Sequence, residues 1–384
     1  MLFFLLFAML FSLALTPYIV RIFIWVYAHV KKEPIYRKFM RLDKIHLPKI
    51  SVVLPVYNEA KIIGRKMQNL LSLRYPKDKF EVVIVDGCST DNTINIVESI
   101  KDERVVLIKN KKREGVTQAT KDGAAASSGD IVILTDTEAM FEPEALSLLV
   151  DDMGDPSVGA ICGVEKIVNP EENMVTQMES THRAFYNTFS QSESAVYSTS
   201  YFRGEFAAIR RSLFPSNADS DRGILDVEIA LSAIKAGYKA KCDPRIKFYG
   251  LAANTSKDRN KQKIQRATLN QESILHNRKL LFAANPFGRV IFPCQFAMHV
   301  FSPLLVIASI FLFPLALLEL PWQIVLPIIL LITASFLVRK VRNIVLTFLQ
   351  SQVYLLVGLL KATVFGHPKF LNQVESTRRS FEPS

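Results

Sequence analysis

The chain lacks the motifs that mark several common classes of protein. Its 384 residues include only four cysteines, which are scattered and form no CxxC pair, so neither a disulfide framework nor a cysteine metal cluster is predicted. No GxGxxG follows the first predicted strand, which disfavours a dinucleotide-dependent dehydrogenase. No GxxxxGK[ST] is present either, which disfavours a P-loop ATPase.

Charge is nearly absent from two long stretches near the ends of the chain. Residues 1–30 contain one charged side chain, Arg21, and residues 291–338 contain only Glu319. Because about 20 apolar residues span a bilayer, we expect one transmembrane helix over 1–30 and two over 291–338, with a turn at Pro321. A cleaved signal peptide is disfavoured for 1–30 because it has no basic start and no small-residue cleavage site. Arg21 is expected to snorkel to the interface.

Basic residues beside the predicted spans set the expected orientation. Over the juxtamembrane segment 31–49, lysines and arginines outnumber acids seven to two, and Arg339, Lys340 and Arg342 follow the last clear span. Such residues mark the cytoplasmic side, so we expect an integral, multi-pass protein of the cell membrane whose middle domain is cytoplasmic. The net charge of +11 fits contact with the lipid bilayer. No nucleic-acid partner is expected, because no aromatic–basic module is present.

The segments beside the later spans are predicted to lie along the membrane. Residues 344–365 are a weak candidate for a crossing because three polar residues, 350–352, interrupt the apolar run. An amphipathic interfacial helix is therefore favoured there. We assign 266–290 to an interfacial helix, and 339–384 to an interfacial or membrane-associated helix followed by a basic tail.

The middle of the chain alternates apolar strands with helices. This pattern predicts an α/β domain with a mostly parallel sheet between helices. The carboxyl ends of parallel strands share one edge, where such folds bind ligands. Strands are predicted at 50–57, 81–87, 104–110 and 130–136, and helices at 60–73, 91–100 and 115–127.

Polar residues follow each predicted strand. Glu59 follows the first strand, Asp86 ends the second within VDGCSTD, and the third leads into the basic loop 109–113. Asp136 and Glu138 follow the fourth, and carboxylate pairs of this kind bind Mg²⁺ or Mn²⁺ that bridge to substrate phosphates. The three-residue pattern alone favours a solvated turn, but its position at the shared edge favours a metal site.

Six short motifs follow one another along the chain. They are Pro55-Val56-Tyr57-Asn58-Glu59, Asp86 to Asp91, Asp136-Thr137-Glu138, Arg203-Gly204-Glu205-Phe206, Asp226-Val227-Glu228 and Gln262 to Arg266. This ordered series resembles the inverting nucleotide-sugar glycosyltransferases of family 2, which have the Rossmann-like GT-A fold. The flanking helices resemble the membrane-embedded branch, the cellulose-synthase-like and lipid-glycan enzymes. The resemblance implies a catalytic domain over 50–265, with a donor half at 50–138 and an acceptor half at 139–265.

The resemblance implies donor-side roles. Asp86 would accept hydrogen bonds from the nucleobase, and Glu59 would lie near the ribose. Asp136 would touch the ribose or the metal, and Glu138 would bind the divalent cation that holds the diphosphate. The rest of the implied donor-binding set is Pro55, Tyr57, Gly115, Gln262 and Arg266.

On the acceptor side, the resemblance implies that Asp226 is the general base, with Glu228 as a substitute, and that Gly204 and Glu205 lie near the acceptor. Each role has a simpler alternative. Asp86 or Asp91 would cap the following helix, and Asp226 would be an acid at a helix N-terminus. Arg113 contacts phosphate or belongs to a solvated basic loop.

Departures from the family pattern shape the expected activity. Glu138 replaces the usual aspartate, and Gln265 and Arg266 replace an arginine and the tryptophan that supports a growing chain in processive synthases. We therefore expect a non-processive, metal-dependent transferase that moves a sugar from GDP-mannose or a UDP-hexose to a lipid-linked acceptor of polyprenyl or dolichyl type. A polyprenyl-phosphate sugar synthase, a processive synthase, a nucleotidyltransferase and a nucleotide-sensing transporter or receptor are the alternatives.

Overall fold

The computed structural model describes residues 1–30, 47–215, 224–365 and 375–378. The chain divides into two compact units. One comprises residues 1–27 and 263–367, and the other comprises residues 28–262 and 368–384. Most of the predicted juxtamembrane segment 31–49 and most of the basic tail lie outside the described residues.

Helices make up most of the described part of the first unit and flank the sheet of the second. Helix α8 begins in the second unit and continues into the first. In chain order the helices are α1 Leu2–Val30, α2 Ile63–Leu71, α3 Thr93–Ser99, α4 Val116–Ala126, α5 Ala145–Met153, α6 Met174–Val196, α7 Leu225–Lys235, α8 Ser256–His276, α9 Phe292–Phe296, α10 Ser302–Leu318, α11 Trp322–Leu337 and α12 Arg339–Leu360.

A mixed eight-stranded sheet is the centre of the second unit. The predicted α/β class is confirmed, and the four strands predicted before residue 137 form close to their predicted bounds. In chain order the strands are β1 Ile50–Val56, β2 Phe80–Asp86, β3 Val105–Lys109, β4 Ile131–Leu134, β5 Met140–Phe141, β6 Val158–Ile167, β7 Ala207–Arg210 and β8 Lys239–Gly250.

The strand order β3-β2-β1-β4-β7-β6-β8-β5 separates a parallel half from a mixed half. Strands β3, β2, β1 and β4 are parallel, so their carboxyl ends meet at one edge. Strand β7 runs antiparallel to both β4 and β6, while β8 lies parallel to β6 and antiparallel to β5. The parallel half therefore carries the predicted donor loops, and β7 brings the later part of the chain beside β4.

Apolar periodicity explains how the helices cover the parallel half. Helix α2 buries Ile63, Met67 and Leu70, which recur along one helical face and pack into the core formed with β1 and β2. On α4, a β-carbon added at Gly123 would lie 2.4 Å from Val53 Cγ1. The absence of a side chain there lets α4 approach β1 closely.

Among the described residues, three helical segments, which lie mostly in the first unit, are long and apolar enough to cross a membrane: Leu2–Val30, Phe287–Leu318 and Arg339–Val364. Helix α11 is apolar but has only 16 residues. The second of the two spans predicted within 291–338 therefore corresponds to a helix that is shorter than the other candidate spans. The segment expected to be interfacial, 344–365, lies almost wholly within a helix that is long enough to cross, so its interfacial placement stays a prediction.

Polar contacts join the helices of this unit. Ser302 Oγ donates to the Ala14 carbonyl at 2.9 Å, and Gln352 Nε2 donates to the Tyr18 hydroxyl at 2.8 Å. Hydrogen bonds of this kind stabilise helix association in a bilayer. The expectation that Arg21 snorkels is wrong for this fold. Its side chain is 1% exposed, with Nη1 3.2 Å from Met298 Sδ, because α1 packs against the later helices of the unit.

Candidate active site

The turns after β1 and β2 hold each other in place. Asn58 and Cys88 have left-handed backbones, with φ of 54° and 67°. Ser89 Oγ accepts a hydrogen bond from the Asn58 N–H at 2.9 Å, and Asn58 Oδ1 accepts one from the Thr90 N–H at 2.8 Å. Such conformations cost about 1–3 kcal/mol each and cluster at functional sites. The two turns therefore form one rigid part of the sheet edge.

The two aspartates of VDGCSTD organise these turns. The carboxylate of Asp86 is 4% exposed and accepts hydrogen bonds from the N–H groups of Cys88 and Ser89, at 3.0 and 3.1 Å. Asp91 accepts from Thr93 and Ala60, at 3.0 and 3.1 Å. Although burial opposes it, these hydrogen bonds hold the pKa of Asp91 below its ordinary value. Asp91 thus fastens one turn to the other, and nucleobase binding by Asp86 stays a prediction.

Tyr57 and the basic loop after β3 meet beside these turns. The Arg113 guanidinium lies 3.7 Å from the centroid of the Tyr57 ring, a cation–π contact. Gly115, with φ of 98°, precedes the first residue of α4, and Pro55 lies within β1. The structure thus brings Arg113 together with a predicted donor-binding residue.

An acidic cluster lies at the ends of β1 and β4, and Arg378 reaches into it. Arg378 Nε and Nη2 bond both carboxylate oxygens of Glu59, at 2.9 and 2.7 Å. Its Nη1 lies 3.3 Å from Glu138 Oε1, while Asp136 is exposed beside them. The side chains of Arg378 and Glu59 are only 12% and 6% exposed. The structure therefore brings together the predicted donor and metal residues Glu59, Asp136 and Glu138.

Carboxylates outnumber the cations that contact them in this cluster. Burial raises the pKa of Glu138 to about 6. Arg378 and Thr377 favour the charged carboxylate, but Glu59 and Glu205 oppose it. Several acids thus share one guanidinium, which is an environment that attracts a further cation.

The carboxylates of this cluster fit a divalent cation that is bound partly by the protein and partly by a ligand. Within the described residues, no group of three or more His, Cys, Asp or Glu side chains is arranged to hold a metal ion. Mg²⁺ is usually bound by one or two carboxylates, with phosphate oxygens and water completing its shell. Asp136 and Glu138 provide such carboxylates, and Asp136 is open to solvent. The residues fit a metal shared with a phosphate-bearing ligand better than a metal enclosed by protein.

The predicted acceptor residues converge from another direction. Asp226 and Glu228 lie in the first turn of α7, and each is 4% exposed. Val227 N–H donates to Asp226 Oδ1 at 2.8 Å. A β-carbon added at Gly204 would lie 3.5 Å from Asp226 Oδ2, so the Gly204–Glu205 segment is directly beside this acid. Stabilisation of the helix N-terminus by Asp226 is equally compatible with this position.

A hydrogen bond connects the acceptor and donor residues. Thr135 Oγ1, at the end of β4, donates to the Glu205 carbonyl at 2.9 Å. The Glu205 carboxylate is 15% exposed, and Arg183 Nη1 lies 3.7 Å from it. The strand end that carries Asp136 is thus bonded to the segment that borders Asp226.

The predicted diphosphate contacts on α8 stay predictions. Gln262 and Arg266 are four residues apart on this helix and therefore share one face. Gln262 belongs to the unit that holds the sheet, whereas Arg266 belongs to the other unit.

Sequence reasoning missed two cations near this site. Arg378 lies in the predicted basic tail, and no local pattern relates it to Glu59, 319 residues earlier. Lys66 lies between apolar residues on α2 and is completely buried. The sequence does show a lysine at an apolar position of the predicted helix, and this pattern could have indicated that Lys66 is buried.

Residues 51–216 match the family model described as Glycosyl transferase family 2. A similar curated protein is the probable glycosyltransferase YdaM of Bacillus subtilis (strain 168), 27% identical over 207 residues, which are 52% of this chain and 49% of that protein. Another is dolichyl N-acetyl-alpha-D-glucosaminyl phosphate 3-beta-D-2,3-diacetamido-2,3-dideoxy-beta-D-glucuronosyltransferase of Methanococcus voltae, 26% identical over 212 residues. That match covers 51% of this chain and 65% of the relative, so the chain spans about half to two thirds of these proteins.

Among solved structures, the chain resembles the mannosyltransferase PcManGT from Pyrobaculum calidifontis, determined in complex with GDP-Man and Mn²⁺. The TM-score is 0.74 at 24% identity, covering 94% of this chain and 99% of that one. This likeness shows the fold: a GT-A-like mixed sheet with flanking helices, together with apolar helices near both ends of the chain.

Proposed function

Since residues 51–216 match the family model described as Glycosyl transferase family 2, we propose that the chain transfers a sugar from a nucleoside diphosphate sugar to an acceptor at the edge formed by β1, β2 and β4. The observation that carries this proposal is the acidic cluster of Glu59, Asp136 and Glu138 at the carboxyl ends of parallel strands, in contact with Arg378. Open α/β sheets bind ligands at this edge.

The donor's nucleoside would occupy the rigid turns after β1 and β2. Asp86 has a buried carboxylate there, and Tyr57 presents a ring already stacked by Arg113. Both are suited to a nucleobase, because a carboxylate reads the N–H groups of a base edge and a ring stacks on its face. GDP-mannose and UDP-hexoses are the candidate donors, and a GDP-Man complex of the structurally similar mannosyltransferase supports the first.

The donor's diphosphate would lie over the acidic cluster. Asp136 and Glu138 would hold a Mn²⁺ or Mg²⁺ ion with it, and that ion would offset charge on the departing diphosphate. The Mn²⁺ in the structurally similar mannosyltransferase supports this assignment. Arg378 would hold Glu59 in position, since their two charge-assisted hydrogen bonds are bidentate.

Asp226 would accept the acceptor's proton. An acceptor hydroxyl attacks the anomeric carbon as its proton passes to the carboxylate, the carbon–oxygen bond to the diphosphate breaks, and the electron pair leaves with the nucleoside diphosphate. A single displacement inverts the anomeric carbon. Gly204 favours this role because it leaves the space beside Asp226 Oδ2 free of a side chain. Glu228, in the same helical turn, is the substitute base.

The acceptor would be carried by a lipid. Three helical segments in the part of the chain that the structure describes are long and apolar enough to cross a membrane, and the Methanococcus voltae relative is named for a dolichyl-phosphate-linked acceptor. The basic residues at 31–49 support a cytoplasmic location for the sheet unit, at the cell membrane. A hydroxyl acceptor requires a base such as Asp226, whereas a lipid phosphate is already an anion. The near alternative is a polyprenyl-phosphate sugar synthase, whose acceptor is a lipid phosphate and needs no base.

The test uses membranes that contain the full chain, a panel of labelled GDP-mannose, UDP-glucose and UDP-N-acetylglucosamine, Mn²⁺ or Mg²⁺, and a lipid extract as acceptor. We expect label to enter the lipid phase and nucleoside diphosphate to be released. Asp226→Asn should stop transfer, while Glu98→Gln, a change of a surface acid paired with Lys109, should not. Release of pyrophosphate would indicate a nucleotidyltransferase, and nucleotide binding without turnover would indicate a sensor; either result would refute the proposal.

A further inference from the structure

A completely buried lysine lies behind the candidate donor site and takes no part in the chemistry described above. Lys66 is 0% exposed on α2, between the core residues Ile63 and Met67. Burial of an ammonium group among apolar side chains is unfavourable unless specific partners compensate for it. The partners of Lys66 therefore indicate why a cation is present at this position.

The ammonium group bonds the chain on both sides of the acidic turn. Lys66 Nζ donates to Thr135 Oγ1 at 2.8 Å and to the Ala139 carbonyl, which enclose Asp136-Thr137-Glu138 in the sequence. It also lies 4.2 Å from the centroid of the Phe141 ring in β5. An ammonium group has three N–H donors, so one side chain holds β4, β5 and the turn between them.

The same contact extends towards the acceptor residues. Thr135 Oγ1 accepts from Lys66 and donates to the Glu205 carbonyl at 2.9 Å. Glu205 follows Gly204, which borders Asp226. One continuous path of hydrogen bonds thus runs from Lys66 through Thr135 to the acceptor segment.

The charges around Lys66 agree with a link to the acidic turn. Burial lowers the pKa of Lys66 to about 7, and the Asp136 carboxylate opposes this by favouring the ammonium form. The charge of Asp136, a predicted metal ligand, thus favours the ammonium form of the buried Lys66.

We propose that Lys66 is a positioning residue that fixes the turn from Thr135 to Ala139, so that Asp136 and Glu138 meet the donor's diphosphate and cation. The inference rests on the proposed function. A lysine that only filled space would be replaceable by methionine, a side chain of similar length, without effect on ligand binding. A positioning lysine would not be, because the turn would lose two hydrogen bonds.

The test compares three variants of the full chain in detergent. Lys66→Met removes the charge and keeps most of the volume, and Thr135→Val removes the hydroxyl that connects Lys66 to Glu205. Met67→Ala is the matched control, because Met67 is also 0% exposed on α2 and its loss damages the core. Each variant is measured for thermal stability, for binding of GDP and of UDP with Mn²⁺ by calorimetry, and for hydrogen exchange over 131–141.

We expect Lys66→Met to weaken Mn²⁺-dependent nucleotide binding by about 10–100-fold, the usual effect of losing a group that orients metal ligands, and Thr135→Val to weaken it less. Hydrogen exchange should accelerate at 135–139 in Lys66→Met and stay unchanged there in Met67→Ala. Folded Lys66→Met that binds like wild type, or Met67→Ala that loses as much binding, would overturn the inference. If Lys66→Met does not fold, Thr135→Val decides by the same criteria.

Failure of the proposed function has a different signature. Wild type that binds neither GDP nor UDP with Mn²⁺ would refute the donor site itself. Hydrogen exchange would then still decide whether Lys66 holds the turn, since that measurement needs no ligand.

Discussion

Replacement of Glu138 by glutamine should separate the contribution of this side chain to stability from its contribution to cation binding. In the folded chain, burial raises the pKa of the Glu138 carboxyl from its ordinary 4.5 to about 6, with Glu59 and Glu205 adding to the rise. The charged carboxylate is therefore less favourable in the fold than in the unfolded chain. Glutamine keeps the shape and removes the charge.

The size of the effect follows from the two pKa values. The difference between 4.5 and about 6 corresponds to about 2 kcal/mol of unfolding free energy at high pH. The side chain is 27% exposed, so solvent screening reduces our expectation to about 1 kcal/mol. Because the pKa is raised on folding, the stability contributed by this group is complete below pH 4.5 and is lost as the pH rises through 6.

Glu138→Gln should therefore be the more stable protein at pH 8, by about 1 kcal/mol or about 2 °C in Tm. The gain should be less than half as large at pH 5, where the folded wild type holds the proton. In the same samples, Mn²⁺-dependent GDP binding should be lost in the variant. In wild type it should weaken as the pH falls through about 6, because a proton competes with the cation.

Thermal unfolding in detergent at pH 8 and pH 5, with calorimetric titration of GDP and Mn²⁺, measures both effects. Glu98→Gln is the control, since the Glu98 carboxylate is 49% exposed and is not part of the acidic cluster. A variant that is less stable than wild type at pH 8, or that gains equally at both pH values, would refute the reasoning.

Three further changes test other parts of the structure. Arg378→Ala removes the bidentate partner of the buried Glu59 carboxylate and should lower the unfolding free energy by about 1–3 kcal/mol in denaturant titration. Arg378→Lys should restore only part of that loss. Equal stability of Arg378→Ala and wild type would contradict a stabilising Arg378–Glu59 ion pair. Asp226→Asn should lower sugar transfer by about 10²–10⁴-fold in a radiolabel assay and leave GDP binding intact, and unchanged transfer would exclude it as the base. Gly123→Ala forces a β-carbon to within 2.4 Å of Val53 Cγ1 and should cost about 1–3 kcal/mol in thermal unfolding, whereas a neutral result would show that α4 can move away from β1.

Local patterns were sufficient to predict the parallel half of the fold. Continuous apolar runs gave β1 to β4, and helical periodicity gave α2 to α4, because both signals lie within a few residues of sequence. The shared edge also predicted that Glu59, Asp136 and Glu138 lie close together. In the structure Arg378 contacts both Glu59 and Glu138, while the roles of these residues stay predictions. The order of β5 to β8 was not predictable in this way, since strands such as β5 and β8 pair over a long separation in the chain.

The features that were missed depend on tertiary contacts. Lys66 and Arg378 carry charges that are ordinarily placed at the surface, yet one is buried in the core and the other is nearly so. Their partners, the Ala139 carbonyl and the Glu59 carboxylate, are distant in sequence. The prediction for Arg21 was wrong for the same reason, because the residue that contacts it, Met298, lies 277 residues later in the chain.

The most direct test of the central claim is the cation dependence of sugar transfer by the purified full chain. Labelled donor and lipid acceptor are incubated with Mn²⁺, with excess chelator, and with chelator followed by restored Mn²⁺. We expect label in the lipid phase and free nucleoside diphosphate only when Mn²⁺ is present, and neither product from Asp136→Asn. Equal turnover of wild type in excess chelator would contradict a cation held by Asp136 and Glu138.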